Sequence, residues 1–326
     1  MILIFSSNNT SENIIINWII SSNKKYIRIN PTDCNLSLKR ILINEEKSEI
    51  IISINSEEVN LNCVEAIYIW HGSLIFNNNI PVINKNIKNE QFDAIIKDIH
   101  GYHSTLIHYV FSYLYTNTPL IIGDYHNQNL NKLIVLEKAR NVGLIIPDTE
   151  IISDKPTLIK LIANNKYITK PVKEISKFKD KKNLYVNYTK EINHKSINSV
   201  DEFFMPSLIQ RKIDKKYEIR VFYLMGNMYS MAIMSQNKNE TEIDFRNYQN
   251  QNPNRTLSYE LPDEINKKII KLMDVLKLNS GSIDFIYNTN NEYVFLEVNP
   301  VGQYGMVSYP CNYYIEKKIA NYLTNE

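Results

Sequence analysis

The chain has 326 residues, with 37 Lys and Arg against 35 Asp and Glu, a net charge of +2, 44% hydrophobic residues and 22% charged residues. This is the composition of a globular chain of about two domains. It excludes intrinsic disorder as the resting state and offers no basic excess of the kind a nucleic-acid-binding surface needs.

Residues 2–6 predict a buried strand, and no basic segment precedes it as a secretion signal would require. A helix over 11–21 and a short strand over 25–29 follow. The apolar run Ile14–Ile20 is interrupted by Asn17 and is too short to span a bilayer. A hairpin over 50–54 and 57–62, a strand over 65–70, a helix from Glu90 to Tyr115 and a strand Pro119–Ile122 complete an α/β layer domain over 1–125. Three cysteines, Cys34, Cys63 and Cys311, stand far apart. They form neither a zinc pattern nor a disulfide framework, and a cytoplasmic setting is expected.

The next region, 126–208, opens with a helix that Asn129 is placed to cap. Leu130, Leu133, Leu136, Ala139 and Val142 give it an apolar stripe, and Gly143 ends it. Residues 150–208 read as a smaller unit of strands and one helix, with a Lys- and Asn-rich arm from Ser176 to Asn193. From 209 to 326 the pattern is strand-rich. Glu218–Met225 and Met228–Ser235 flank a Gly226-Asn227 turn, and 236–258 is a polar stretch long enough for a functional loop. A helix from Asp263 to Leu278, a hairpin over 281–288 and 292–298, and a closing helix over 312–323 follow.

The last hairpin carries the clearest chemistry. With its turn centred on Asn290-Asn291, Asp284 lies directly opposite Glu297, and like charges at that separation are destabilising unless a cation or a shared proton stands between them. Asn299 shares the face of Glu297 by period-two alternation. Two carboxylates and an amide oxygen suit Mg²⁺ rather than zinc. The alternative is that both acids point to solvent. Lys170 ends a strand and is held by Pro171; Lys132 stands in the first turn of a helix, where a cation opposes the dipole unless an anion is bound. Glu218 and Arg220 share one strand face, and Arg246 follows Asp244-Phe245. Taken singly, Glu218, Arg220 and Arg246 read as surface ion pairs, Lys170 as a solvated strand-end lysine and Lys132 as an isolated exception to the dipole rule.

Taken together, Lys132, Lys170, Leu208-Ile209-Gln210-Arg211, Glu218-Ile219-Arg220-Val221-Phe222, Asp244-Phe245-Arg246-Asn247, Asp284 and Leu296-Glu297-Val298-Asn299-Pro300 occur in the order of an ATP-grasp ligase. The resemblance is closest to the branch of the ribosomal-protein glutamate ligase. Within that branch, Ser280-Gly281-Ser282-Ile283-Asp284-Phe285, Val298-Asn299-Pro300-Val301-Gly302-Gln303 and the stretch from Asn131 to Thr149 resemble the graspetide maturases of grasp-with-spasm type. The resemblance implies an α/β fold with an N-terminal pre-ATP-grasp domain (1–125), a small central lid (126–208) and a C-terminal antiparallel-sheet domain (209–326). It also implies ATP with adenine at Gln210, Arg211, Lys212 and Ile213, Glu218 as a further nucleotide contact, and Lys132 and Lys170 on the phosphates. Mg²⁺ would lie on Asp284, Glu297 and Asn299, with Arg220 and Arg246 at the transferring γ-phosphoryl. The substrate implied is a precursor peptide whose Asp or Glu carboxylate is phosphorylated and then attacked by a Ser, Thr or Lys side chain, with a homodimer as the working form.

Two features depart from the family pattern. Pro171-Val172-Lys173-Glu174-Ile175-Ser176-Lys177 lacks the glycines that usually follow the second lysine, and Ile69-Trp70-His71-Gly72-Ser73 replaces an aromatic–arginine pair. Trp70 is expected in the core or a subunit interface. His100, His103 and His108 are read as structural or surface residues rather than metal ligands. Exposed strands around 174–192 are the expected leader-binding edge. A ligase for a free amino acid and a non-catalytic peptide- or nucleotide-binding module are the alternatives.

Overall fold

The computed structural model describes residues 1–6, 11–76, 90–172, 177–179, 184–186, 189–235 and 254–326. Met1–His126 with Tyr314–Glu326 form one compact unit and Asn127–Tyr313 a second.

In the first unit the elements are β1 (Ile2–Phe5), α1 (Ser11–Ser21), β2 (Tyr26–Ile29), β3 (Leu36–Ile43), β4 (Ser48–Ile54), β5 (Glu57–Asn60), β6 (Ala66–Ile69), α2 (Glu90–Asn117) and β7 (Leu120–Ile122). A parallel sheet runs β2-β1-β6-β7, and β3-β4-β5 form an antiparallel one. All four residues of β1 are buried, as expected of an inner strand covered on both faces. Strand β3 has no counterpart in the sequence reading. A bulge between Leu38 and Arg40 breaks its alternation and hides the period-two signal.

Glu12 opens α1, where an acid suits the helix dipole, yet it is fully buried, and among the described residues neither carboxylate oxygen has a hydrogen-bond partner. Burial raises its pKa, and the nearby backbone amide of Glu12 and then the Arg28 charge offset only part of that rise. A carboxyl whose folded pKa lies above its unfolded value stabilises fully below the unfolded pKa and loses that contribution as pH rises through the folded one. Glu12→Gln is therefore expected to stabilise the protein at neutral pH by on the order of 1 kcal/mol. Urea unfolding should show the gain vanishing near about pH 4; an equal gain at both pH values would rule out this origin.

In the second unit the elements are α3 (Lys132–Asn141), β8 (Thr149–Asp154), α4 (Lys155–Ile162), β9 (Tyr167–Thr169), β10 (Lys177–Lys179), β11 (Leu184–Val186), β12 (Lys190–Glu191), α5 (His194–Asn198), β13 (Phe203–Arg211), β14 (Lys215–Leu224), β15 (Asn227–Met234), β16 (Arg255–Tyr259), α6 (Asp263–Leu276), β17 (Ser280–Asn288), β18 (Tyr293–Asn299) and α7 (Gly305–Cys311). A final helix, α8 (Ile315–Thr324), returns to the first unit and packs on α1.

Several local expectations shift. The cap of α3 is Asn131, not Asn129; its side chain accepts from the amides of Leu133 and Ile134 at 3.0 and 3.3 Å. The β14–β15 turn is Met225-Gly226 rather than Gly226-Asn227, and both residues take positive φ (49° and 91°), which is what a two-residue primed turn demands. The region 150–208 holds two helices, α4 and α5, rather than one, and β13 runs through residue 208 without a break. The closing helix expected over 312–323 is α8, which starts only at Ile315 because Asn312 and Tyr314 take left-handed φ, and α7 ahead of it was not expected. Most of the polar stretch, 236–253, lies outside the described residues.

The five-stranded antiparallel sheet β16-β15-β14-β17-β18 positions the site. Its apolar face carries Ile219, Val221, Tyr223, Ile283, Phe285, Phe295 and Val298. These pack with Ile269, Leu272, Met273 and Leu276 of α6 and Val135, Leu136 and Ala139 of α3. Alternation then turns Glu218, Arg220, Ser282, Asp284, Glu297 and Asn299 to the other face. Burial of the first set, roughly 1.5–3 kcal/mol per large side chain, is what holds the second set in place.

Candidate active site on the polar sheet face

The β17–β18 turn is a three-residue loop, Thr289–Asn291, with Asn288 donating its amide to the Glu292 carbonyl at 3.0 Å and Asn291 at φ 65°. The turn is thus centred on Asn290, half a residue from the expected position, and its register pairs Tyr287 with Tyr293 and Phe285 with Phe295. Continued unchanged, that register would put Asp284 opposite Leu296 and aim Glu297 into the core. A bulge at Leu296 inserts one residue, and Asp284 pairs with Glu297, Ser282 with Asn299. Bulges of this kind re-aim side chains beside active sites.

Both acids turn inward: their side chains are 14% and 19% exposed, so the solvent-facing alternative does not hold. Each meets a cation. Arg220 Nη1 lies 3.1 and 3.2 Å from the two oxygens of Asp284. Lys132 Nζ lies 3.3 Å from Glu297 Oε2 and 3.5 Å from the Pro171 carbonyl. Opposed carboxylates are tolerated here because a cation stands on each. Arg220 Nε is buried and has no hydrogen-bond partner among the described residues, a donor placed to meet an anion.

Two strand positions along, Glu218 is bonded by buried Lys215 and accepts from Ser235 Oγ at 2.8 Å. Burial raises the Glu218 pKa; Lys215 and Ser235 offset part of the rise, and the Asp284 charge adds to it. Lys215 and Ser235 were missed by sequence reasoning. Alternation would put residues three apart on opposite faces, and only a register shift between Lys215 and Tyr217 brings Lys215 round.

Asn299 Oδ1 accepts from the Val301 amide at 3.1 Å and keeps a second lone pair. The hard oxygen donors of Asp284, Glu297 and Asn299 on one face therefore fit Mg²⁺. Along the β13 exit, Gln210 is buried and donates to Thr149 Oγ1 at 2.8 Å. The Arg211 and Lys212 amides donate to the carbonyls of Asp148 and Lys166. The Arg211 side chain pairs with exposed Asp148, and Lys212 pairs with Glu191 at 2.7 Å. Ile213 follows them. Lys170 is half-buried, next to the proline whose carbonyl meets Lys132. Arg246, with Asp244, Phe245 and Asn247, lies outside the described residues.

In the first unit Trp70 is buried, and burial lowers the pKa of His71. The rings of His108 and His126 lie 4.7 Å apart. Among the described residues, no group of three His, Cys, Asp or Glu side chains could hold a metal, and no helix is long and apolar enough to cross a membrane.

The RimK-like ATP-grasp domain family matches residues 128–323. The chain belongs to the RimK-like ATP-grasp family. The whole ATP-grasp chain, including the residues ahead of that match, also superposes on solved structures. The macrocyclase MdnC of Microcystis aeruginosa MRC, bound with precursor peptide MdnA, is 24% identical with a TM-score of 0.75, over 100% of this chain and 99% of that one. A RiPP-associated ATP-grasp ligase of Chryseobacterium gregarium, in complex with ADP and a leader and core peptide, is 21% identical with a TM-score of 0.77, over 99% and 95%. The VanG D-Ala:D-Ser ligase of Enterococcus faecalis is 11% identical with a TM-score of 0.51, over 99% and 98%. At these identities the likeness fixes the fold, which is ATP-grasp. No curated protein sequence matches this one.

Proposed function

We propose that this chain is an ADP-forming ATP-grasp ligase and a graspetide maturase. It phosphorylates Asp or Glu side-chain carboxylates of a ribosomally made precursor peptide and closes ω-ester or ω-amide macrocycles with Ser, Thr or Lys. The observation that carries the chemistry is the opposed Asp284–Glu297 pair with Arg220 and Lys132 at its oxygens. The peptide substrate is supported by the end-to-end likeness to MdnC, whose structure holds a precursor peptide, and to the Chryseobacterium ligase, whose structure holds a leader and core peptide.

In this reading Lys132 and Lys170 meet the ATP phosphates as point charges. The backbone of Gln210, Arg211, Lys212 and Ile213 lies at the adenine, and Glu218, held by Lys215 and Ser235, completes the nucleotide pocket. Asp284, Glu297 and Asn299 hold Mg²⁺, which supplies charge neutralisation at the phosphates. Arg220 and Arg246 stabilise the γ-phosphoryl as it transfers, work that is almost wholly electrostatic. A peptide carboxylate oxygen bonds to the γ-phosphorus and ADP leaves. A hydroxyl or amine of the same peptide then attacks the acyl carbon, loses its proton, and phosphate leaves. Neither step needs a protein nucleophile. Residues 126–208 and 209–326 form the lid and base of the ATP-grasp pair, with 1–125 as the pre-ATP-grasp domain. The β10–β11 ribbon, within 174–192, offers an edge for the peptide leader. The enzyme works in the cytoplasm as a homodimer.

Intact-mass analysis of a co-expressed precursor peptide from the same gene neighbourhood tests the reading. The expected result is loss of one water per ring, reversed by mild base for esters and stable to base for amides. ATP consumed only when a free amino acid is supplied would replace the macrocyclase with an amino-acid ligase.

A further inference from the structure

We propose that Lys132 and a divalent cation compete for Glu297, so that metal loading is conditional on nucleotide. The inference rests on the Mg²⁺–ATP reading above and deepens it. Lys132 is the first residue of α3, fixed by the Asn131 cap, and its ammonium lies 3.3 Å from Glu297 Oε2. A cation at a helix N-terminus is disfavoured by the dipole, so the carboxylate is what holds the ammonium there. Across the hairpin, Asp284 is held in the same way by Arg220.

Each acid thus already carries a cation at its oxygens, against which a free divalent ion must enter. A triphosphate changes the balance. Its negative charge draws Lys132 off Glu297, and that oxygen becomes available to the metal. Each ligand then favours the other by the same factor, as linkage requires. For opposite charges 3.3 Å apart that keep one-fifth of their exposure, the attraction is worth about tenfold in affinity.

The test is Mn²⁺ binding to the full chain, followed by electron paramagnetic resonance of the free ion, with and without a non-hydrolysable ATP analogue. Lys132→Gln should bind Mn²⁺ alone about tenfold more tightly than the wild type, and Lys132→Arg should match the wild type. With the analogue present the order should reverse. Adding Glu297→Gln to Lys132→Gln should erase the gain and so locate it at that carboxylate. Unchanged or weaker binding of Mn²⁺ alone by Lys132→Gln overturns the competition, even if the wild type takes up metal with the analogue. A wild type that takes up no metal with the analogue overturns the metal site itself, and the competition with it.

Discussion

Glu297→Gln is expected to lower peptide-dependent ATP turnover by roughly 10³-fold or more while leaving the fold in place. The substitution keeps the shape of the side chain and removes one of the two charges of the opposed Asp284–Glu297 pair beside Asn299. Its structural cost is small. The partner Lys132 is 21% exposed, lies 3.5 Å from the Pro171 carbonyl and remains partly hydrated, so the lost pair is worth about 1 kcal/mol or less. Asp284 differs. Its Arg220 partner is only 7% exposed, and deleting the acid leaves a buried guanidinium uncompensated, at a cost of about 3–5 kcal/mol. Asp284→Ala therefore mixes loss of chemistry with loss of fold, and Asp284→Asn is the cleaner companion. ADP release measured beside thermal unfolding separates the two effects. Wild-type turnover in Glu297→Gln would remove this carboxylate from the reaction.

Gly302→Ala is expected to cost about 2–4 kcal/mol and to lower turnover by about 10²-fold. A methyl group on Gly302 would sit 2.3 Å from Ser282 Cβ, 2.5 Å from its Oγ and 3.0 Å from the Asn299 carbonyl. Neither neighbour can yield easily. Ser282 is locked in β17 two residues before Asp284, and the Asn299 carbonyl accepts the Gly302 amide at 3.0 Å. The loop must lift instead, carrying the Asn299 side chain with it. Removing the obstacle should restore both properties. Ser282 Oγ has no hydrogen-bond partner among the described residues, so Ser282→Gly forfeits only packing and strand propensity, about 1 kcal/mol. The double variant should recover most of the stability, with a coupling of about 1–3 kcal/mol in the cycle. Additive losses would show that the close approach is not the cause.

Long elements with clean periods were legible from sequence: the α6 stripe Ile265, Ile269, Leu272, Met273 and Leu276 is buried at all but Ile265, which is half-buried. The Asp284–Glu297 pairing was also legible, but through two offsets that cancel, a turn half a residue away and a bulge at Leu296. The same physics hid other features. The bulge after Leu38 concealed β3, and the shift at Lys216 concealed the Lys215–Glu218 contact. Pro310 lies inside α7 and reads as a breaker in sequence. Side-chain direction at the β13 exit was not legible either. Nothing in Gln210-Arg211-Lys212 announces that Arg211 pairs with exposed Asp148 while Gln210 is sealed against Thr149.

Helix α8 belongs with Met1–His126, so the second unit is one continuous stretch while the first is split around it. Ile315, Ile319, Ala320 and Leu323 of α8 are buried, and Lys317 lies 4.9 Å over the Trp18 ring of α1. During synthesis the stretch Asn127–Tyr313 leaves the ribosome whole and can close on its own contacts. The residues of Met1–His126, made earlier, must wait with the α1 surface uncovered until α8 emerges.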